Sequence, residues 1–183
     1  MKGMVFTELL EMAEGAVGEA AVDDILDACP LESGGAYNAV GNYPCGELMT
    51  IVGALSDHTG APVAELQRQF GHWMHGRFVE RYAPFFEGKA DAFEMLEAIE
   101  AEVHVEVRKL HPDVELPTFE TTRPAPDVLI MTYRSPRALA DFCHGLIEAC
   151  VAHFGAPVDI EMGAPWAEGT THAAQFKLMR AAV

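Results

Sequence analysis

The chain reads as an α+β domain, an N-terminal helical half packed with a C-terminal half that holds a small antiparallel sheet and further helices. Three observations point there. Phe93, Leu96, Ile99, Val103, Val107 and Leu110 recur at steps of three and four, the stripe of an amphipathic helix. Beyond Pro112 the pattern turns to short apolar runs, of which Val128-Leu129-Ile130-Met131 is the clearest buried strand. With 183 residues, 50% of them hydrophobic, the chain suffices for one well-buried domain and is short for two.

Taken in order, residues 6–17 and 20–27 predict two short helices separated near Gly18. Residues 31–43, with Gly34, Gly35 and Gly41 and then Pro44, read as a loop. Residues 47–58 are helical up to the stop signal Thr59-Gly60. Pro62 opens a helix to about Phe70, and another runs from Gly71 to about Tyr82. Pro84-Phe85-Phe86-Glu87-Gly88 breaks the run before a helix over 92–110. A strand near 117–122, a turn at 123–127 and a strand ending at Tyr133 follow. An apolar helix over 139–154, a turn at Gly155-Ala156-Pro157, and strands over 158–162 and 174–179 complete the chain.

The net charge of −16, from 12 basic and 28 acidic residues, argues against nucleic acid and anionic membrane surfaces as partners. No apolar run approaches a membrane span, and Glu8, Glu11 and Glu14 interrupt any signal-peptide core, so a soluble, cytoplasmic protein is expected. Cys29, Cys45, Cys143 and Cys150 form no Cys-x-x-Cys pair and are expected to remain free thiols. There is no Gly-x-Gly-x-x-Gly, Walker loop, Gly-x-Ser-x-Gly or His-Glu-x-x-His. Cys143 and His144 are neighbours on a presumed helix, so their side chains diverge and read as packing rather than as a nucleophile and its base.

The stretch Tyr133-Arg134-Ser135-Pro136-Arg137 gathers donors at a strand's end. Tyr133, Ser135 and Arg137 fall at i, i+2 and i+4, one face of an extended segment, where a phenol, a hydroxyl and a guanidinium can bind two neighbouring carboxylates. A polar strand end with an incidental arginine is the plainer alternative. Upstream, His104 lies on the flank of the apolar stripe over 92–110, where a neutral imidazole could reach a metal or simply be solvated.

The run Val103-His104-x-Glu106-Val107-x-Lys109-Leu110-x-Pro112-Asp113-x-x-Leu116-Pro117-x-Phe119 changes the balance. Together with the opening Met1-Lys2-Gly3-Met4-Val5-Phe6, with Phe70-Gly71, Phe78 and the Tyr-x-Ser-x-Arg element 29 residues beyond His104, it resembles the heme nitric oxide/oxygen-binding (H-NOX) family. These are bacterial relatives of the sensor domain of soluble guanylate cyclase, and the resemblance covers essentially the whole chain. It implies a heme b between the two halves, with His104 as the axial iron ligand and Tyr133, Ser135 and Arg137 on the propionates. It also implies that Pro117 presses on the porphyrin and Phe78 packs against it.

In oxygen-binding members of that family a tyrosine, supported by a tryptophan and an asparagine, donates to the bound gas. The matching positions here are Phe142, Leu9 and Met74, and with Val5 and Leu146 they imply an apolar distal pocket. Such a pocket favours NO over O2, and CO also binds without a donor. His75 or Trp73 could still supply one, and His72 shares a helix face with His75. The family implies a mechanical signal, in which NO weakens the iron–histidine bond and the heme relaxes against Pro117. The implied partner is a separately encoded histidine kinase or cyclic-di-GMP enzyme, and no enzyme activity of its own is expected. A heme enzyme using His72 or His75, and a heme-free interaction domain, remain as other classes. Some members bind zinc near the C-terminus, but residues 161–174 here offer a histidine and no cysteine.

Overall fold

The computed structural model describes residues 1–181, and its elements follow the predicted division into a helical half and a half built on an antiparallel sheet. Helices α1 (Gly3–Val17), α2 (Glu19–Ala28), α3 (Cys45–Thr59) and α4 (Val63–Arg81) make the first half. Their apolar faces converge on one core containing Phe6, Leu9, Ile51, Phe70 and Met74. A buried carboxylate fastens α1 to α4. Glu8, 2% exposed, accepts hydrogen bonds from Trp73 Nε1 at 2.9 Å, Arg77 Nε at 2.8 Å and Arg81 at 2.5 Å. Burial pushes its pKa up, but the Trp73 and Arg77 bonds and the Arg81 charge outweigh that and hold it below the usual range. The expected loop over 31–43 is pinned by Glu47, which accepts from the Ser33 N–H, the Ser33 hydroxyl and the Tyr37 phenol.

The two helices predicted over 62–82 are one. Gly71 reads as a break in the sequence, yet α4 runs through it without interruption from Val63 to Arg81. Its role is steric: a Cβ on Gly71 would lie 2.4 Å from the Phe142 carbonyl oxygen, and one on Gly145 only 2.0 Å from the Arg68 carbonyl oxygen. Both belong to the contact between α4 and α8 (Ala140–Phe154), where each helix offers a glycine and the backbones touch. The predicted stop of α8 stands, since Gly155 has φ 69°, a left-handed cap that a side chain would strain, and Pro157 follows.

Between the halves come α5 (Ala83–Phe86), α6 (Ala92–Ala98) and α7 (His104–Leu110). Asp91 caps α6 by accepting from the Glu94 N–H, and the Glu94 carboxylate reaches back to the Ala90 N–H. The single helix expected over 92–110 is interrupted by a π-turn, Ile99–Val103, in which the His104 N–H donates to the Ile99 carbonyl five residues back. That wider turn changes which residues face inward. His104 becomes buried instead of sitting on a flank, and Leu110, expected on the apolar stripe, is 70% exposed.

The sheet has the order β1-β2-β5-β3, antiparallel throughout, with β4 paired to β5. β1 (Thr118–Ala125) and β2 (Val128–Ser135) form a hairpin, bulged between Thr122 and Ala125, which turns at Pro126-Asp127. The strands thus extend into the predicted turn over 123–127, and β2 continues two residues past Tyr133. β3 (Val158–Met162) lies where expected. β5 (Thr171–Arg180) is longer than predicted, and β4 (Trp166–Glu168) has no apolar run to announce it. Leu129, Met131, Tyr133 and Ser135 alternate onto the inner face of β2, and α6 and α8 cover that face through Phe93, Leu96 and Ile147.

Cys143 and Cys150 sit inside this second core, and burial pushes both thiols up, Cys150 to about 12. Cys29 and Cys45 are partly exposed. Among the described residues no helix is long and apolar enough to cross a membrane.

Candidate functional site

His104 enters the interior directly after the π-turn, with 8% of its surface exposed. Its Nδ1 lies 2.9 Å from Glu100 Oε2. Burial raises the Glu100 carboxyl, but hydrogen bonds from Arg108 and His104 overcome this and keep it low, so the carboxylate is ionised and accepts the imidazole proton. Burial lowers the pKa of His104, only partly countered by Glu100, which keeps the ring neutral. Nδ1 therefore carries the hydrogen, and Nε2, which makes no hydrogen bond to any described residue, keeps its lone pair. A neutral imidazole oriented by a carboxylate with a free Nε2 is the donor that a metal requires.

The His104 ring lies 5.6 Å from Phe119 on β1, and Phe119 is 5.9 Å from Tyr133, its cross-strand partner on β2. Tyr133 and Ser135 share the inner face of β2 as expected, but Arg137 does not extend that face. It lies beyond the strand, and the chain curls so that the Tyr133 hydroxyl donates to the Arg137 carbonyl at 2.9 Å while the Ser135 hydroxyl accepts from the Arg137 N–H at 3.1 Å. The three are brought together by a turn, not by strand geometry. Burial pushes the Tyr133 phenol up to about 12, so it remains a donor at neutral pH. The Arg137 guanidinium is itself engaged, donating to the Glu115 carbonyl and to its carboxylate. The Glu115 side chain is 71% exposed, so this is a weak, water-screened pair. Pro117 is half-buried immediately before β1.

On the other side, Val5, Leu9, Met74, Phe78, Phe142 and Leu146 belong to the N-terminal core and its packed margin. The rings of Phe70 and Phe142 pack there at a tilt, their centroids 5.1 Å apart. The polar side chains near Met74 turn elsewhere. Trp73 gives its one N–H to Glu8, and Arg77 lies over its ring. His72 is exposed and pairs with Glu148. His75 packs against Phe86 and His153, so it meets a different turn of α8 from His72, and the two form no joint site.

His75 has a measurable consequence of its own. It is 7% exposed and its Nε2 has no hydrogen-bond partner among the described residues. Burial, with smaller effects from His153 and His72, lowers its pKa from 6.5 to about 4. Between those two values the unfolded chain binds more protons than the folded one, so stability falls as pH drops. The full effect is on the order of 3 kcal/mol. Thermal melts of His75→Phe are expected to gain steadily on wild type from neutral pH down to pH 4; a difference that does not vary with pH would contradict this account.

Glu100, Phe119 and Glu115 were not anticipated as site residues. Glu100 had a signal, because Glu100, His104 and Arg108 recur at every fourth position. Glu115 had none, because its contact with Arg137 depends on how the chain turns after β2.

Comparisons with known proteins bear on the family and the fold. The model of the haem-NO-binding family matches residues 2–162. No curated protein matches the chain. Among solved structures, the Fe(II) unliganded H-NOX protein from K. algicida is similar at 32% identity and TM-score 0.91, covering 100% of this chain and 98% of that one. A mutant of H-NOX from T. Tengcongensis matches at 22% identity and TM-score 0.88, over 98% and 97% of the two chains. An oxygen-binding H-NOX domain related to soluble guanylate cyclases matches at 22% identity and TM-score 0.81, over 98% and 95%.

Proposed function

This chain belongs to the haem-NO-binding (H-NOX) family of heme-binding gas sensors, and on that footing we propose that it senses nitric oxide in preference to oxygen. His104 would hold the iron through Nε2. Arg137 would exchange its exposed partner Glu115 for a propionate, and Tyr133 and Ser135 would complete the anion site. Phe78 and Pro117 would pack on the ring. The cofactor would be heme b, held without covalent attachment, since no Cys-x-x-Cys-His is present. Bound there, ferrous heme supplies an open iron coordination position for a diatomic gas.

The observation that carries the NO reading is the chemistry of the side chains assigned to the gas face. Val5, Leu9, Met74, Phe142 and Leu146 include no hydrogen-bond donor, and the nearest indole N–H is engaged by Glu8. Bound O2 becomes superoxide-like and depends on a donor, whereas NO and CO do not. The protein would act as a cytoplasmic sensor without catalytic activity, relaying its state to a separate histidine kinase or cyclic-di-GMP enzyme.

The visible spectrum of the purified, heme-loaded, reduced protein tests this, recorded without gas, then in air, then with NO. The expected result is a five-coordinate ferrous spectrum that forms no stable oxy complex and changes with NO. A stable oxy spectrum would overturn the NO preference.

A further inference from the structure

We propose that Glu100 is the positioning residue of the iron ligand: its carboxylate keeps the proton of His104 on Nδ1, orients the ring, and thereby sets the strength of the bond made through Nε2. This rests on the reading of His104 as the axial ligand. Three donors from different places converge on Glu100. His104 Nδ1 lies 2.9 Å from Oε2, the backbone N–H of Phe119 in β1 is 3.3 Å from Oε2, and Arg108 donates to Oε1 at 2.9 Å. The carboxylate is therefore clamped between α7 and the first strand, and the imidazole is held by a group that cannot swing with it.

An ordinary surface pair at this spacing looks different. Glu106 and Lys109, one turn further along, are both largely exposed and touch nothing else among the hydrogen-bonded residues. The Glu100–His104 bond instead ends on a buried ring, and the π-turn lies between its two members. π-turns are rare in helices and concentrate at functional sites. A carboxylate accepting from the far nitrogen raises the basicity of a ligating imidazole, and loss of such a partner lowers metal affinity by about 10–100-fold. The residue would thus govern how firmly His104 stays on iron.

Glu100→Gln and Glu100→Ala test this, with Glu102→Gln as the control, since among the described residues the half-exposed Glu102 carboxylate pairs with Lys89 and not with His104. In heme-loaded ferrous protein the iron–histidine stretch, read by resonance Raman, is expected to move to lower frequency in both Glu100 variants. Their reduction potential is expected to rise, and heme loss to a scavenger to quicken about tenfold or more. An unchanged stretch and potential in folded Glu100 variants would reduce Glu100 to a structural contact. A second measurement does not need the cofactor. Nitrogen NMR of heme-free protein is expected to show His104 as the Nδ1–H form in wild type, moving towards Nε2–H in Glu100→Ala; the same tautomer in both overturns the proposal. Wild type that takes up no heme would defeat the sensor reading, and the tautomer measurement would still decide the role of Glu100. Should Glu100→Ala fail to fold, Glu100→Gln keeps the side-chain size and the Raman and potential readings stand.

Discussion

Replacing His104 with glycine is expected to abolish the NO response and to lower heme retention at least about a hundredfold, with both restored by added imidazole. The estimate follows from the chemistry of the donor. Loss of an outer partner alone lowers metal affinity by about 10–100-fold, and loss of the ligand should not be smaller. Imidazole rescue is the informative arm, because glycine removes the side chain and leaves space for a free ring beside Glu100 and Phe119. Glycine within a helix also lowers stability by about 1 kcal/mol relative to alanine, so the variant should stay folded. Absorption spectra with and without NO, and with and without imidazole, provide the check. An NO response equal to wild type without imidazole would remove His104 from the iron.

Gly145→Ala is expected to be strongly destabilising. The added carbon would sit 2.0 Å from the Arg68 carbonyl oxygen, and that atom is helix backbone rather than the end of a movable side chain. Relief requires α4 and α8 to part along their contact, where Gly71 faces the same difficulty against Phe142 and Leu146. Overpacking of this kind costs about 3 kcal/mol or more. For a chain of this size that corresponds to a melting temperature lower by roughly 6–12 °C. Gly76→Ala on the same helix α4 is the matched control, since nothing lies within 4 Å of the new carbon. It should be neutral or raise stability by about 0.5–1 kcal/mol. Equal melting temperatures for the two variants would mean that the helices do not meet on backbone.

The contrast between these two glycines shows what a sequence of this kind conceals. Gly71 and Gly76 look alike within the helical pattern, and only the position of Gly145 on another helix separates a contact from a neutral site. Terminators were legible, because Gly60 and Gly155 act locally through a left-handed backbone. So was β2, announced by the apolar run Val128-Leu129-Ile130-Met131. The π-turn was not, because apolar residues at steps of three and four predict an uninterrupted helix and say nothing of one extra residue in a turn. His104 therefore read as a flank position although it is buried. The grouping of Tyr133, Ser135 and Arg137 was legible as a motif, but its geometry was not, since the turn at Pro136 and the Glu115 contact are tertiary.

The burial of Cys143 and Cys150 has a consequence for work on this molecule. A thiolate is the species that alkylating and nitrosating agents attack, and these two sulfurs are both enclosed and held in the protonated form. Cys29 and Cys45 lie nearer the surface. The four thiols therefore sort into an outer and an inner pair. Labelling of the inner pair reports how often the sheet-side core opens, which makes it a built-in clock for local unfolding.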